Sequence, residues 1–357
     1  MPKTSFYSYT FKGLETELVR QGFPGRAASH LFNWFYKKNS RGPYEHQNLS
    51  RFLKKWVVDT FDFDLPRISH AHFSADRTVK FVFELRDGAR IESVLLPFQS
   101  KYSLCISSQA GCGMKCSFCS TGRQGFLRHL DVHEIVGQVL QAKFWLEQNR
   151  PGEGSVQNVV FMGQGEPLHN FDAVRDAVDI FISQHGLSLA DHKITVSTSG
   201  YLPGLARWTS EMPPVNLAVS LHSVDNLRRS QIIPLNKKYP LTEIMAVIDQ
   251  IPLEKKRFIT FEYLLLGGFN DSDQDAIELG YFLRNRRAFL NLIPFNPFPG
   301  SEFIRPEESR ILLFKNRVES FGFPVTVRST KGHEILAACG QLNLKLTEST
   351  LHANSVF

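Results

Sequence analysis

Residues 112–119 read Cys-Gly-Met-Lys-Cys-Ser-Phe-Cys and place three thiols, those of Cys112, Cys116 and Cys119, within eight residues. A structural zinc site uses four protein ligands, and neither a histidine nor a fourth cysteine is near enough in sequence to complete the set. Three thiolates on a short loop suit a [4Fe-4S] cluster with one iron left without a protein ligand. Such an iron can bind a substrate and pass it an electron. The alternatives are a zinc knuckle completed by a distant ligand and a chance clustering of cysteines.

The composition is that of a soluble globular protein. The chain has 357 residues, of which 42% are hydrophobic and 21% charged. It contains no apolar run of the roughly 18–20 residues that would cross a bilayer. The first residues, Met-Pro-Lys-Thr-Ser-Phe-Tyr, lack the apolar core of a signal peptide. We therefore expect a cytoplasmic protein without a membrane partner.

The basic charge is concentrated at the start of the chain. The net charge is +6, and the first 70 residues carry eleven basic side chains against six acidic ones. A basic module on a nearly neutral body predicts a polyanionic partner, most often nucleic acid. A solvated charged face would give the same charge pattern.

Residues 1–95 are predicted to form a basic accessory domain that binds RNA. Apolar residues at helical spacing predict three helices, at Gly13–Gln21, Ala27–Lys38 and about Leu49–Phe61. Alternating apolar residues then predict two strands, Thr78–Leu85 and Ala89–Leu96, and Asp87-Gly88 between them is typical of a hairpin turn.

Residues 96–346 are predicted to form the catalytic domain, and 347–357 a polar tail. Short apolar segments predict strands at Tyr102–Ser107, Asn158–Met162, Lys193–Ser197, Asn216–Leu221, Phe258–Leu265, Phe289–Pro294 and Val325–Arg328. Helical patterns lie between them, at Val132–Glu147, Asp172–Gln184, Leu241–Gln250, Asp273–Arg286 and Glu307–Phe321. This alternation indicates an α/β protein with a parallel sheet. Too few units are present for eight strands, so we expect a partial (β/α)6-type barrel.

Polar motifs follow the predicted strands repeatedly, and in such barrels chemistry occurs at the carboxyl ends of the strands. These motifs are Cys112–Cys119, Gly163–Pro167, Ser197–Gly200, Ser220–His222 and Asn296. Gly165 would let backbone approach a ligand closely, and Glu166 could pair with an ammonium group. Serine, histidine and asparagine side chains could bind a ribose and a carboxylate. Any one motif could be turn chemistry, but five at equivalent ends indicate a site.

The pattern resembles the radical S-adenosylmethionine (SAM) superfamily, in which C-x3-C-x-F-C follows the first barrel strand and Gly-Glu-Pro the second. Within it, the chain is most similar to the RNA adenine-C2 methyltransferase family RlmN, over about residues 14–342. The similarity rests on four further stretches: Ser107–Cys112, Cys119–Phe126, Asn291–Gly300 and Ala337–Leu342.

The resemblance implies methylation of carbon 2 of an adenine, at adenosine 2503 of 23S ribosomal RNA and adenosine 37 of certain transfer RNAs. It implies that SAM first methylates Cys339. A second SAM, reduced at the cluster, then yields a radical that removes a hydrogen atom from this methyl group. The resulting carbon radical adds to the adenine. Cys105 finally attacks the sulfur of Cys339, and a transient disulfide releases the methylated base. Glu92 matches the proton acceptor.

The same resemblance assigns the remaining site residues and partners. The cluster ligands are Cys112, Cys116 and Cys119. The SAM contacts are Gly165, Glu166, Ser197, Ser220, Leu221, His222 and Asn296, with Ser199 as a possible substitute for Ser197. An electron donor such as flavodoxin is implied, and we expect a monomer.

Two departures and two alternatives remain. Gln164 replaces a methionine common in the family, and Gly-His-Glu-Ile-Leu at 332–336 replaces the usual Gly-x-Asp-Ile-Asp. One alternative is a Cfr-like enzyme that methylates carbon 8; Ser120 and Pro297–Gly300 favour carbon 2. The other is a non-catalytic RNA-binding protein with a structural metal.

Overall fold

The computed structural model describes residues 3–37, 49–99, 101–254 and 257–344. The predicted tail at 347–357 lies outside the described residues, as does Lys38, the last residue of the second predicted helix.

Strands and helices alternate along most of the chain. The strands within the described ranges are β1 Thr4–Ser5, β2 Phe61–Asp62, β3 Arg67–Phe73, β4 Val79–Glu84, β5 Arg90–Phe98, β6 Lys101–Cys105, β7 Gln109–Gly111, β8 Phe126–His129, β9 Val156–Phe161, β10 Ile194–Thr198, β11 Asn216–Ser220, β12 Ile259–Leu265, β13 Ala288–Pro294 and β14 Val325–Val327. The helices are α1 Phe11–Arg20, α2 Ala27–Phe32, α3 Arg51–Thr60, α4 Ser120–Gln124, α5 Val132–Asn149, α6 Phe171–Ile182, α7 Leu202–Glu211, α8 Asn226–Ile232, α9 Leu241–Ile248, α10 Asp273–Leu283 and α11 Glu308–Glu319. A π-helical turn, Asn33–Lys37, follows α2.

The main sheet is a partial barrel. Its strand order is β14-β13-β12-β11-β10-β9-β6-β5-β4-β3. From β6 to β14 the neighbouring strands of this sheet are parallel and lie in chain order, and β7 and β8, between β6 and β9 in sequence, form a separate two-stranded sheet. Helices connect them, as right-handed parallel crossovers require. In the described chain β14 and β3 are the two edges, so the barrel stays open. The predicted α/β class with a partial parallel barrel is confirmed.

Local sequence explains where the helices begin. Asp131 and Glu134 form a reciprocal capping box at the start of α5, and Ser272 and Asp275 do the same for α10. Helix α7 was missed by the sequence analysis because Leu202-Pro-Gly reads as a turn. Proline is nevertheless favourable in a first helical turn. Gly204 is needed there, because a Cβ would lie 2.3 Å from the carbonyl oxygen of Leu168.

An antiparallel hairpin extends the barrel sheet. The predicted hairpin is present as β4 and β5, and β5 pairs with β6 from Val94 opposite Cys105 to Phe98 opposite Lys101. Strand β5 therefore crosses the boundary predicted after residue 95, and the two predicted domains share one sheet. Their division stays a prediction. The outer strand β3 was not predicted, because its polar residues break the apolar alternation, and none of its residues is buried.

The N-terminal helices enclose an aromatic core. Phe6 packs against Phe32, Phe35 and Phe61, with ring centroids 4.5–5.8 Å apart. This core is continuous with that of the barrel. Several basic side chains remain exposed on the outside of the module: Lys12, Arg26, Lys37, Arg51 and Lys55. Across the described ranges, every helix is too short or too polar to span a bilayer.

Candidate active site

A cleft opens at the carboxyl ends of the parallel strands. We call it the strand-end cleft. Its walls include ten residues that the sequence analysis singled out: Cys112, Cys116, Cys119, Gly165, Glu166, Ser197, Ser199, Ser220, His222 and Cys339. Met114, Phe118, Phe161, Leu264 and Phe295 supply an apolar lining. The strand order thus brings together residues that are up to 227 positions apart, from Cys112 to Cys339.

The three clustered cysteines lie on a loop held by backbone hydrogen bonds. The amide of Cys112 donates to the carbonyl of Gly125 at 2.8 Å, and that of Cys119 donates to Cys116 at 3.2 Å. Burial raises the pKa of Cys112 to about 12 and raises that of Cys116 as well. Nowhere in the described ranges do three His, Cys, Asp or Glu side chains gather closely enough to hold one metal ion. All three cysteines line the same cleft, which fits ligands for different irons of one cluster.

Glu166 organises the ends of β9 and β10. Its carboxylate accepts four hydrogen bonds, from the Leu168 amide, the Thr198 hydroxyl, and the amide and hydroxyl of Ser199, at 2.7–3.1 Å. Burial raises its pKa, although these bonds oppose the shift. Gly165 has φ +105°, and a Cβ there would collide with Gln109 at 2.6–2.8 Å. The Gly-Glu pair is therefore required by the local packing, in addition to any ligand.

His222 presents a neutral ring to the cleft. Its Nδ1 accepts a hydrogen bond from the Leu264 amide at 3.0 Å, so the ring hydrogen is assigned to Nε2. Burial, reinforced by the charge of Arg229, lowers the pKa of His222 to about 3. The ring of Phe118, from the cysteine loop, meets it edge to face at 4.8 Å. His222 can therefore donate one hydrogen bond to a bound ligand at neutral pH.

Arg229 is a structural residue that the sequence analysis missed. The side chain is fully buried. Its guanidinium donates to the carbonyls of Ser199, Ser220 and Leu221 at 2.8–3.0 Å, and to the side chain of Asn236 at 2.5 Å. Burial lowers its pKa to about 10. One cation thus fixes the ends of β10 and β11, which carry the polar residues of the cleft.

A second, smaller cavity lies beside the strand-end cleft. We call it the thiol cavity because Cys105 and Cys339 both line it, together with Asn296 and Arg328. Cys105 belongs to an apolar cluster with Ala337 and Leu342, the residues that flank Cys339. Cys339, Met162 and Ile293 line both cavities. Cys339 therefore lies at the boundary between the three-cysteine loop and the second thiol.

The charge environment of the two thiols is shared. Burial raises the pKa of Cys105 to about 12; Cys339 adds to the shift and Arg328 opposes it. Burial also raises the pKa of Cys339, and the positive charge of Arg328 opposes this shift. The Arg328 Nη1 atom lies 3.5 Å from the Met162 sulfur and 3.9 Å from Glu262. Arg328 is therefore the cation common to both thiols, and the sequence offered no motif that would single it out.

Residues 328–343, which we call the Cys339 loop, are anchored before and after the cysteine. Before it, Glu334 accepts hydrogen bonds from the Ser74 hydroxyl at 2.6 Å and from the Ala75 amide, and Asp76 accepts one from the Gly332 amide at 3.0 Å. All three partners lie on the turn between β3 and β4. The divergent segment 332–336 is thus bound to the turn between β3 and β4.

After the cysteine, the loop is bound to the start of α4. The Ser120 amide donates to the carbonyl of Gly340 and the Thr121 hydroxyl to that of Leu342, both at 2.7 Å. Asn343 donates to Ser120 at 3.0–3.1 Å. The position of Cys339 is therefore coupled to the helix that follows the three clustered cysteines.

Glu92 lies in a buried polar network behind the thiol cavity. It is fully buried, and its carboxylate lies 3.3 Å from the ammonium of Lys80 and 3.3 Å from the side-chain amide of Gln164. Lys80 also reaches the carbonyl of Leu336, at 3.4 Å. Val94 and Leu96, on the same face of β5, line the cavity. The role of Glu92 as a proton acceptor stays a prediction.

Two predicted contacts lie apart from the strand-end cleft. Asn296 lines the thiol cavity and accepts a hydrogen bond from Thr330 at 2.8 Å. Leu221 is fully buried behind the wall, with its amide bonded to the carbonyl of Glu262 at 2.9 Å. Glu262 itself, which the sequence analysis did not name, lines the strand-end cleft. The only sequence signal for it was a single glutamate inside an apolar strand.

Comparisons with known proteins agree with this geometry. A model of the radical SAM superfamily matches residues 106–280. The dual-specificity RNA methyltransferase RlmN of Syntrophobacter fumaroxidans is 40% identical over 94% of this chain and 96% of its own. That of Desulfotalea psychrophila is 41% identical over 90% of each chain. The crystal structure of a radical SAM methyltransferase from Sphaerobacter thermophilus has 36% identity and a TM-score of 0.86, over 95% of this chain and 99% of that one.

A radical SAM enzyme uses a [4Fe-4S] cluster and SAM, and the residues present fit both. Three thiols with an apolar surround suit the cluster, and a cleft with serine hydroxyls, a neutral imidazole and carboxylates suits a nucleoside-bearing sulfonium. Identity of this extent over nearly the whole length assigns the family. The chain belongs to the dual-specificity RNA methyltransferase (RlmN) family of the radical SAM superfamily.

Proposed function

We propose that this enzyme methylates carbon 2 of adenine in RNA, with 23S ribosomal RNA and transfer RNA as substrates. The observation that carries the proposal is the position of Cys339, which lines both the strand-end cleft and the thiol cavity. A residue in this position can meet a cofactor on one side and both Cys105 and a substrate base on the other.

Cys112, Cys116 and Cys119 would hold the cluster in the strand-end cleft. Gly165, Glu166, Ser197, Ser220, Leu221, His222 and Asn296 would bind or support SAM. When bound, these cofactors supply a methyl group and a carbon-centred radical that can remove a hydrogen atom. Because Glu166 already accepts four internal hydrogen bonds, its main contribution is to hold Thr198 and Ser199 in place.

The chemistry at carbon 2 explains why two thiols are needed. This carbon is electron-poor and does not attack a sulfonium methyl group, whereas a carbon radical can add to it. Cys339 would take up the methyl group by displacement and present it to the base as a methylene. The base then remains joined to Cys339 through a thioether.

Cys105 would release the product. Its thiolate attacks the sulfur of Cys339 and forms a disulfide; the bond between that sulfur and the methylene carbon breaks, its electron pair passes to the carbon, and this carbon takes up a proton to give the methylated base. The shared apolar cluster of Cys105, Ala337 and Leu342 supports this pairing. Disulfide formation demands a close approach of the two Cα atoms, within about 7 Å. We therefore expect the Cys339 loop to adjust between methyl acceptance and disulfide formation.

Glu92 would accept the proton from carbon 2, with Lys80 beside it to stabilise the carboxylate. The exposed basic residues of the N-terminal module would contact RNA phosphates. Because cleavage of SAM requires a one-electron reductant, we infer that the enzyme receives electrons from a flavodoxin-type donor. We also infer that it acts in the cytoplasm as a monomer.

Mass spectrometry of nucleosides tests the proposal. The chain is expressed in a bacterial strain that lacks its own enzyme, and ribosomal and transfer RNA are digested and separated. We expect 2-methyladenosine with the wild type and none with Cys339→Ala, because that variant has no sulfur to carry the carbon. Iron content and SAM affinity should be retained. Methylated adenosine from Cys339→Ala would overturn the mechanism, and 8-methyladenosine would assign the other carbon.

A further inference from the structure

Glu262 is a buried carboxylate in the wall of the strand-end cleft. It lies within β12, where its backbone pairs with Ser220 of β11 and with Asn291 of β13. Only 4% of the residue is exposed. The side chain points into the barrel, between Ser197 and the entrance to the thiol cavity, which is marked by Arg328.

The two carboxylate oxygens of Glu262 differ in their partners. Oε2 accepts a hydrogen bond from the Ser197 hydroxyl at 2.8 Å. Oε1 is buried and accepts no hydrogen bond from the residues that the structure describes. The other carboxylate of this wall, Glu166, accepts four. A buried acceptor without a donor destabilises a protein, so such an atom in a cleft is a good candidate for a ligand contact.

The nearby cation restricts the kind of donor. Arg328 Nη1 lies 3.9 Å from Oε1, too far for a hydrogen bond but close enough to offset the carboxylate charge. A second cation at Oε1 would be repelled by the guanidinium. A neutral hydroxyl is not repelled, and a carboxylate can accept from both hydroxyls of a vicinal diol. Acidic side chains bind ribose hydroxyls in this way in dinucleotide-binding folds.

We propose that Glu262 binds the ribose of SAM, with Oε1 accepting a hydrogen bond from a ribose hydroxyl. The inference rests on the proposed function, because it requires SAM in the strand-end cleft. It adds a cofactor-binding residue between Ser197 and Arg328. It also places the ribose at the boundary with the thiol cavity, near Cys339.

Equilibrium dialysis with S-adenosylhomocysteine, an unreactive analogue, tests the assignment on anaerobic protein loaded with its cluster. Glu262→Gln keeps the shape of the side chain and can still bond Ser197. We expect its dissociation constant to be about 10- to 100-fold higher than that of the wild type, the effect of losing a charge-assisted hydrogen bond. Glu319→Gln, an exposed change on α11, serves as the control with unchanged affinity. Iron content and circular dichroism of the variants establish that the fold and cluster are intact.

Analogues lacking one ribose hydroxyl, 2′-deoxy and 3′-deoxy, identify the contact. The wild type should bind one of these deoxy analogues about as weakly as Glu262→Gln binds S-adenosylhomocysteine, the parent compound. Glu262→Gln should bind that analogue with the same affinity as it binds S-adenosylhomocysteine. Equal affinity of Glu262→Gln and wild type for the parent would overturn the assignment. The assignment would also be overturned if the substitution lowered the affinity for both deoxy analogues by as much as it lowers the affinity for the parent compound. Failure of the wild type to bind the parent at all would instead count against the proposed function.

Discussion

The wall of the strand-end cleft and the Cys339 loop are held in place by different means. In the wall, fully buried Arg229 donates to three backbone carbonyls, and buried Glu166 accepts four hydrogen bonds. In the loop, the anchors before the cysteine are Glu334, which is exposed, and Asp76, which is half-buried. Water can replace these two anchors before the cysteine, but it cannot reach the contacts of the wall or those of Thr121 and Asn343 after the cysteine.

This difference matches what each region must do. A wall that binds a cofactor should keep its geometry through the reaction, and buried, saturated hydrogen bonds provide that rigidity. A loop whose cysteine must meet a cofactor, a base and a second thiol has to move. Exposed hydrogen bonds allow opening at low free-energy cost. The comparison therefore predicts large effects of substitution in the wall and small, local effects in the part of the loop that precedes Cys339.

The largest effect is expected for Arg229→Met. The substitution removes the guanidinium that donates to the buried carbonyls of Ser199, Ser220 and Leu221. We expect the free energy of unfolding, measured by urea denaturation of the protein without its cluster, to fall by about 3–5 kcal/mol. SAM binding should be lost as well. Arg229→Lys replaces the planar guanidinium with a single ammonium, so its free energy of unfolding should lie between those of the wild type and Arg229→Met. An Arg229→Met variant as stable as the wild type would contradict the account of the wall.

A smaller effect is expected for Asp76→Asn, which weakens the acceptor for the Gly332 and Thr78 amides. The free energy of unfolding should fall by about 1 kcal/mol, the contribution of a typical hydrogen bond. Hydrogen exchange of residues 332–337 should become faster while α5 and β12 remain unchanged. Uniform acceleration over the whole chain would show that the anchor acts globally.

The stabilising effect of Asp76 should depend on pH. Its hydrogen bonds, which outweigh the opposing effect of burial, lower its pKa from 3.8 to about 2. Because the pKa is lower in the folded state, the carboxylate stabilises the fold above about pH 4, and this contribution is lost as the pH falls from 4 towards 2. The stability difference between wild type and Asp76→Asn, measured by urea denaturation at a series of pH values, should shrink over this interval. A constant difference would exclude ionisation as its origin.

The smallest global effect is expected for Glu334→Gln. The side chain is exposed, so its loss should change the free energy of unfolding by less than about 0.5 kcal/mol. The Ser74 and Ala75 contacts should nevertheless weaken, and exchange of the 333–336 amides should accelerate. The matched change Glu319→Gln, which removes an exposed ion pair with Lys315 on α11, should have a similarly small effect on stability and leave the exchange of the loop unchanged.

The sequence predicted the wall better than the loop. The short apolar segments of the sequence predicted all seven parallel strands. Because polar motifs at the carboxyl ends of such strands meet, the sequence also predicted that Cys112, Gly165, Ser197 and His222 share one cleft. The three-cysteine spacing and the family motifs supplied the cofactors. These features are local in sequence or follow from parallel topology, so they could be predicted without coordinates.

The remaining contacts depend on long-range packing. Glu334 meets Ser74 across 260 residues, and Lys80 reaches Leu336 across 256. Arg229 and Glu262 carry no motif, and their roles follow only from the carbonyls and hydroxyls that surround them. The Pro-Gly start of α7 and the polar edge strand β3 were missed because local patterns favour a turn and a loop there.

The central claim is that Cys339 carries the carbon and Cys105 releases it. Mass spectrometry of the Cys105→Ala protein after reaction with substrate RNA tests this most directly. The account predicts that the variant accumulates RNA joined covalently through a methylene to Cys339, and that no such species survives in the wild type or forms in Cys339→Ala. Free methylated RNA from Cys105→Ala at the wild-type rate, with no RNA bound to the protein, would contradict it.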